Sequence, residues 1–111
     1  MPLFNPQAET LSRDALTALQ DARLKDVVRR VHARSPFFRR KLDAAGIDPR
    51  GFRGLADLHQ LPFMGKDDFR AEYPLGMACV DKRAIVEMHM SSGSTGTPVV
   101  MPYTEADLAQ W

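Results

Sequence analysis

Residues 91 to 97 read Ser91-Ser92-Gly93-Ser94-Thr95-Gly96-Thr97 and precede Pro98, so every position of the run is a hydroxyl residue or a glycine. Glycine lets backbone take positive φ and come close to a ligand. Successive N–H groups in such a loop form a concavity suited to an anion, and hydroxyls add donors that rotate onto phosphate oxygens. The chemistry this combination serves best is electrostatic: cradling the phosphates of a nucleotide, with no covalent step by the serines. Composition alone leaves a second reading open, because Gly/Ser/Thr runs also make flexible turns. Spacing excludes sharper motifs. Gly96 is followed by Thr97-Pro98 rather than by Lys and a hydroxyl residue, so this is not a Walker A loop. Gly93 and Gly96 lack the third glycine and the immediate helix of a dinucleotide fingerprint. Neither Ser92 nor Ser94 lies in a Gly-x-Ser-x-Gly elbow, which argues against a hydrolase nucleophile.

Such a loop needs walls. Ala84 to Met90 alternates loosely and holds β-branched Ile85 and Val86, while Pro98 to Tyr103 is rich in valine. Both read as strands, giving a strand–loop–strand unit over 84–103. Upstream, residues 1–9 hold two prolines and read as an extended arm, and the region 10–75 reads as helical. Ser12 is the expected cap of a long helix whose apolar positions are Leu16, Leu24, Val27, Val28 and Val31, broken by Gln20. Arg29, Arg30 and Arg34 crowd its carboxyl end, where positive charge suits the helix dipole. Ser35-Pro36 stops that helix and starts a second, running to about Ala45 with Gly46 as its left-handed stop. Short helical turns are expected over Leu55–His59 and Lys66–Glu72, the latter closed by Tyr73-Pro74. Phe37, Phe38 and Leu42 are expected to pack the second helix on the first, and Phe63, Phe69, Tyr73 and Met77 to tie the middle of the chain to a core. Thr104 is a fitting cap for a helix entered by Glu105, Ala106, Asp107 and Leu108. That helix meets Trp111 without a capping glycine or basic turn, which reads as a fragment boundary. The expected fold class is α+β: a mainly helical segment followed by a β-hairpin carrying the Ser/Thr/Gly loop.

The remaining candidates are weaker. Arg23, Lys25, Arg29, Arg30, Arg34, Arg39, Arg40 and Lys41 form a basic cluster, but Asp21, Asp26 and Asp43 interleave and the net charge of the 111-residue chain is +1. The cluster reads as a solvated face, with neither nucleic acid nor membrane as partner. His32, His59 and His89 have no metal-ligand spacing, and no metal site is assigned. His89, two residues before the loop, reads as a strand histidine. Tyr103 and Thr104 read as a strand-end aromatic and a helix cap. Cys79 is alone, which rules out an internal disulfide and suits a reducing compartment. The chain is 44% hydrophobic and 26% charged, as in an ordinary globular protein, has no apolar run of membrane-spanning length, and its first residues do not read as a secretory leader. The cytoplasm is the expected location.

The run from Ser91 to Thr104, SSGSTGTPVVMPYT, resembles the phosphate-binding loop of adenylate-forming enzymes. With the following DLAQW it is similar to that of phenylacetate–coenzyme A ligases. The resemblance extends upstream through RLKDVVRRVHARSPFFRRKLDAAGI and LADLHQLPFMGKDDFRAEYPLGM, and so covers nearly the whole chain. Family members usually show Thr-Thr-Gly-Lys-Pro where this chain has Ser94-Thr95-Gly96-Thr97-Pro98. Ser94 keeps a hydroxyl, while Thr97 gives up a cationic side chain.

The resemblance implies that residues 1–111 are the amino-terminal part of an adenylation (AMP-binding) domain in a larger α/β adenylate-forming fold. It implies a parent enzyme that joins an aryl acid to CoA at the expense of ATP, with Mg²⁺, releasing AMP and pyrophosphate. Ser91, Ser92, Gly93, Ser94, Thr95, Gly96 and Thr97 are then the nucleotide-binding residues, and no catalytic residue is assigned. The adenine and acyl pockets, the metal-binding acid and the mobile domain with its catalytic lysine are implied to lie beyond Trp111, so the chain by itself is expected to be inactive. Apolar surface left bare by truncation favours association, so a homodimer or strand-exchanged dimer is anticipated. Two alternatives stand beside this reading: a deazaflavin-adenylating synthetase of the same superfamily, and a non-catalytic helical interaction module with a mobile Ser/Gly hairpin.

Overall fold

The computed structural model of the chain describes residues 1–94 and 96–111. Thr95, one of the expected nucleotide-binding residues, lies outside the described residues. In chain order the elements are α1 (Pro6–Glu9), α2 (Arg13–Arg34), α3 (Pro36–Ala44), a 3₁₀ helix (Gly54–Gln60), α4 (Lys66–Ala71), a 3₁₀ turn (Lys82–Ala84), β1 (Ile85–Met90), β2 (Val100–Thr104) and α5 (Glu105–Ala109).

The long helix starts where the sequence places it. The Ser12 hydroxyl accepts from the Ala15 N–H at 3.2 Å, satisfying one of the free donors of the first turn. The α2–α3 corner is built on Ser35, which is completely buried. Its N–H donates to the Val31 carbonyl at 3.0 Å, and its hydroxyl accepts from the Phe38 N–H at 3.4 Å. Arg39 reaches back from α3 to donate to the His32 and Ala33 carbonyls at 3.0 and 2.8 Å, closing the end of α2. Gly46 takes φ 71° after α3, as a left-handed stop requires.

The core sits between these helices and the segment after them. Val28, Leu42, Ile47 and Phe52 are buried together, with Leu24, Val31 and Leu61 packed against them. Asp21 of α2 locks the 3₁₀ helix in place: its Oδ1 accepts from the Leu55 N–H at 2.8 Å beside Gly54, whose φ is 87°. Buried Asp57 accepts from the Arg53 guanidinium and backbone N–H and from Gln60. The Arg53 side-chain and backbone hydrogen bonds hold its carboxyl at about 2, below the ordinary 3.8.

Not every expectation holds. Residues 1–9 are not wholly extended, because Asn5 caps a short helix. Its side chain accepts from the Ala8 N–H at 3.2 Å while Glu9 accepts from the Asn5 N–H at 2.6 Å, and Pro6 enters the first turn. Phe63 and Tyr73 do not tie the middle of the chain to the core, since Phe63 is 96% exposed and Tyr73 is exposed as well. That segment is anchored through its backbone and α4 instead. Lys41 donates from Nζ to the Phe63 carbonyl at 2.7 Å and to Asp68 at 3.0 Å, and Arg40 pairs with Glu72 at 3.1 Å. Part of the basic cluster therefore braces neighbouring elements rather than facing water alone.

The hairpin is antiparallel, with Met90 opposite Val100, Met88 opposite Pro102 and a bulge between Ile85 and Glu87. Val86, Met88 and Met90, at alternate positions of β1, are exposed. The radius of gyration is 16.1 Å, against roughly 13 Å for a compact domain of this length. Among the described residues no helix is long and apolar enough to cross a membrane.

Candidate phosphate-binding loop

The hairpin closes the loop at its base. Ser91 donates its N–H to the Val99 carbonyl at 3.0 Å, and the Ser91 hydroxyl accepts from the Val99 N–H at 2.9 Å. Ser91 is thus the residue that seals the neck. Beyond it the chain turns at Gly93 (φ 66°) and Gly96 (φ 124°), joined by a bond from the Gly96 N–H to the Gly93 carbonyl at 3.0 Å. A Cβ on Gly93 would lie 3.0 Å from the Gly96 carbonyl oxygen, so both the dihedral and the space call for glycine.

Among the described residues, the N–H groups of Ser92, Gly93, Ser94 and Thr97 have no hydrogen-bond partner. Ser92, Ser94, Gly96 and Thr97 are exposed, and the Ser92 hydroxyl lies 3.4 Å from that of Ser94. Exposed donors gathered on one tight turn are what an anion needs. From α4, Arg70 donates from Nε to the Thr97 carbonyl at 3.3 Å. Sequence reasoning missed this contact, which spans 27 positions and leaves no local signature.

Three rings meet on the hairpin. His89 lies 4.9 Å from Tyr103 and 5.4 Å from Trp111 between ring centroids, while Tyr103 and Trp111 stack within 5° of parallel at 5.5 Å. His89 also bonds Glu87, so it is a satisfied strand histidine as read. Thr104 is the cap of α5, as expected. Its hydroxyl accepts from the Asp107 N–H at 3.2 Å, and its own N–H donates to Asp107 at 2.8 Å, which lowers the Asp107 carboxyl. Tyr103 does more than end a strand, because its ring meets both His89 of β1 and Trp111, which follows α5.

Between the hairpin and the helices lies a largely apolar cavity of about 380 Å³, with Val31, Phe38, Phe69, Met77, Cys79 and Val100 in its wall. Burial raises the Cys79 thiol above its usual value, and Sγ donates to the Met77 carbonyl at 3.4 Å. A thiol so placed is a poor nucleophile. Among the described residues no group of three His, Cys, Asp or Glu side chains is arranged to hold a metal ion.

No protein-family model matches the chain. Individual relatives do. It is 50% identical over 106 residues to the phenylacetate-coenzyme A ligase of Thermus thermophilus. It is 44% identical over 103 residues to that of Escherichia coli and 39% identical over 109 residues to that of Pseudomonas putida. These matches cover 93 to 98% of this chain and 24 to 25% of the relatives. Among solved structures, 2-hydroxyisobutyryl-CoA ligase in complex with 2-HIB-AMP and CoA in its thioesterification state superimposes with a TM-score of 0.78 at 29% identity, over 96% of this chain and 25% of that one. The open conformation of the same ligase gives 0.76 at 27% identity, with the same coverage of both chains. Over nearly all of its own length this chain is therefore similar to phenylacetate-coenzyme A ligases, and it spans about a quarter of the length of the relatives it matches.

Proposed function

We propose that residues 1–111 are the part of an adenylation domain that carries the polyphosphate loop of an aryl acid–coenzyme A ligase acting on an acid such as phenylacetate. The observation that carries this reading is the turn at 91–97, where the N–H groups of Ser92, Gly93, Ser94 and Thr97 are unpartnered among the described residues. The reaction class is that of the relatives, which are phenylacetate-coenzyme A ligases.

In that reaction an oxygen of the acid's carboxylate attacks the α-phosphorus of ATP. The bond from that phosphorus to the bridging oxygen breaks, and pyrophosphate leaves. The thiolate of CoA then attacks the acyl carbon and AMP departs with the electron pair. The first step gathers negative charge on the leaving pyrophosphate. Donors already aimed at that charge lower the barrier without having to reorganise, and removing one donor from such a site typically costs about 10²-fold or more in rate. The hydroxyls of Ser92, Ser94, Thr95 and Thr97 add donors to those of the backbone, while Gly93 and Gly96 give the loop its shape and Ser91 closes it. No step is assigned to Mg²⁺ through this chain, whose described residues offer it no ligand cluster.

The test is acid-dependent exchange of labelled pyrophosphate into ATP. A polypeptide of the relatives' length carrying this segment is expected to exchange with phenylacetate, and the 111-residue chain alone is expected not to. Exchange that ignores the aryl acid, or exchange by the short chain, would overturn the assignment.

A further inference from the structure

Residues 91 to 97 carry no charged side chain of their own. A loop that binds a polyphosphate with neutral donors alone brings no positive charge to balance it and lacks the bidentate grip of a guanidinium. The fold brings a cation in from elsewhere. Arg70, near the end of α4, donates from Nε to the Thr97 carbonyl at 3.3 Å; the N–H of Thr97 has no partner among the described residues. We infer that Arg70 is a phosphate-binding residue of this loop, its guanidinium supplying the positive charge that position 97 lacks. The inference rests on the reading of 91–97 as a polyphosphate cradle.

Three observations support it. First, α4 is a fixed platform, since Asp68 accepts from the Gly65 N–H at 2.9 Å and from Lys41 at 3.0 Å. Second, Arg70 pairs with Asp67 at 3.1 Å, but the Asp67 side chain is 98% exposed. A surface pair of that kind is worth little and yields readily to a phosphate, which a planar guanidinium grips with two parallel bonds. Third, two cations beside α4 hold that helix rather than the loop. Arg40 holds Glu72, and Lys41 holds Asp68 and the Phe63 carbonyl. Among the described residues, Arg70 is the charged side chain that reaches the loop.

The experiment is titration of the 111-residue chain with inorganic tripolyphosphate, read from the backbone amide resonances of Ser92, Gly93, Ser94, Gly96 and Thr97. Arg70→Gln keeps a donor for the Thr97 carbonyl and removes the charge. Arg70→Lys keeps the charge and loses the planar fork. In the expected result the loop amides shift in the parent chain, Arg70→Gln weakens binding by about tenfold or more, and Arg70→Lys weakens it less. Adding Thr97→Lys to Arg70→Gln restores affinity, and the gap between parent and Arg70→Gln narrows from about 0.05 M to about 0.5 M salt.

The outcomes separate cleanly. If the loop amides respond equally in parent and Arg70→Gln, the role given to Arg70 is wrong while the cradle stands. If no loop amide responds in the parent, the cradle itself fails and the inference with it. A loss that neither Thr97→Lys restores nor salt diminishes assigns Arg70 to holding the loop, and overturns its place on the phosphate.

Discussion

Replacing Gly93 tests whether backbone shape, rather than loop composition, makes the proposed anion site. Gly93 has φ 66°, and an L-residue in that left-handed region costs roughly 1–2 kcal/mol. The added Cβ would also meet the Gly96 carbonyl oxygen at 3.0 Å and Pro98 Cδ at 3.5 Å, so that carbonyl must shift by a few tenths of an ångström. Together these put the bound conformation about 2 kcal/mol out of reach, a factor of about 30 in its population. Apparent affinity for tripolyphosphate falls by that factor, because only the competent loop binds. The loss is local, so the thermal midpoint moves little. The substituent series sharpens the argument. Asparagine tolerates the left-handed region better than alanine, so Gly93→Asn should recover part of the affinity. Gly96 has φ 124° with open space around it, and there Asn should be no better than Ala. Calorimetric titration of the four variants is the assay. Gly93→Ala binding within twofold of the parent, or Asn failing to outperform Ala at Gly93 alone, would refute the reasoning.

Other consequences concern the scaffold. Gly54→Ala forces a Cβ to within 2.6 Å of Asp21 Oδ1 at φ 87°. It therefore combines backbone strain with loss of the Asp21–Leu55 bond, for about 3 kcal/mol in urea unfolding; a change under about 1 kcal/mol contradicts the packing described. Asp57 has its folded carboxyl depressed to about 2 from 3.8, so its contribution is complete above that ordinary value and is lost as pH falls from there through about 2. Acid titration of stability should show this loss, and Asp57→Asn should abolish it; an unchanged acid limb in that variant would be the contrary result. Cys79, raised by burial, should react with iodoacetamide at pH 8 far more slowly in the folded chain than in urea, and equal rates would contradict its burial.

What the sequence made legible was local. Ser12, Ser35-Pro36 and Gly46 set helix boundaries through bonds within a few residues, and the structure places each boundary within a residue or two. The short helix at Pro6–Glu9 was missed because four residues show no period, although Asn5 and Glu9 carry its capping pattern. Phe63 was assigned to packing on its hydrophobicity, yet what ties its segment down is a lysine bond to its carbonyl. The loop could be read because glycine and hydroxyl content determines its shape directly. Its supports could not. Arg70 meets Thr97 across 27 positions, and Trp111 reaches the hairpin only once α5 has been capped by Thr104. Contacts of that kind belong to tertiary placement, which no window of sequence contains.

The most direct measurement is a crystal structure of the ATP complex, taken with a polypeptide of the relatives' length that carries this segment. The account predicts β- and γ-phosphate oxygens within about 3.2 Å of the backbone nitrogens of Ser92, Gly93, Ser94 and Thr97. Phosphates bound elsewhere, with those four N–H groups turned to solvent, would contradict it.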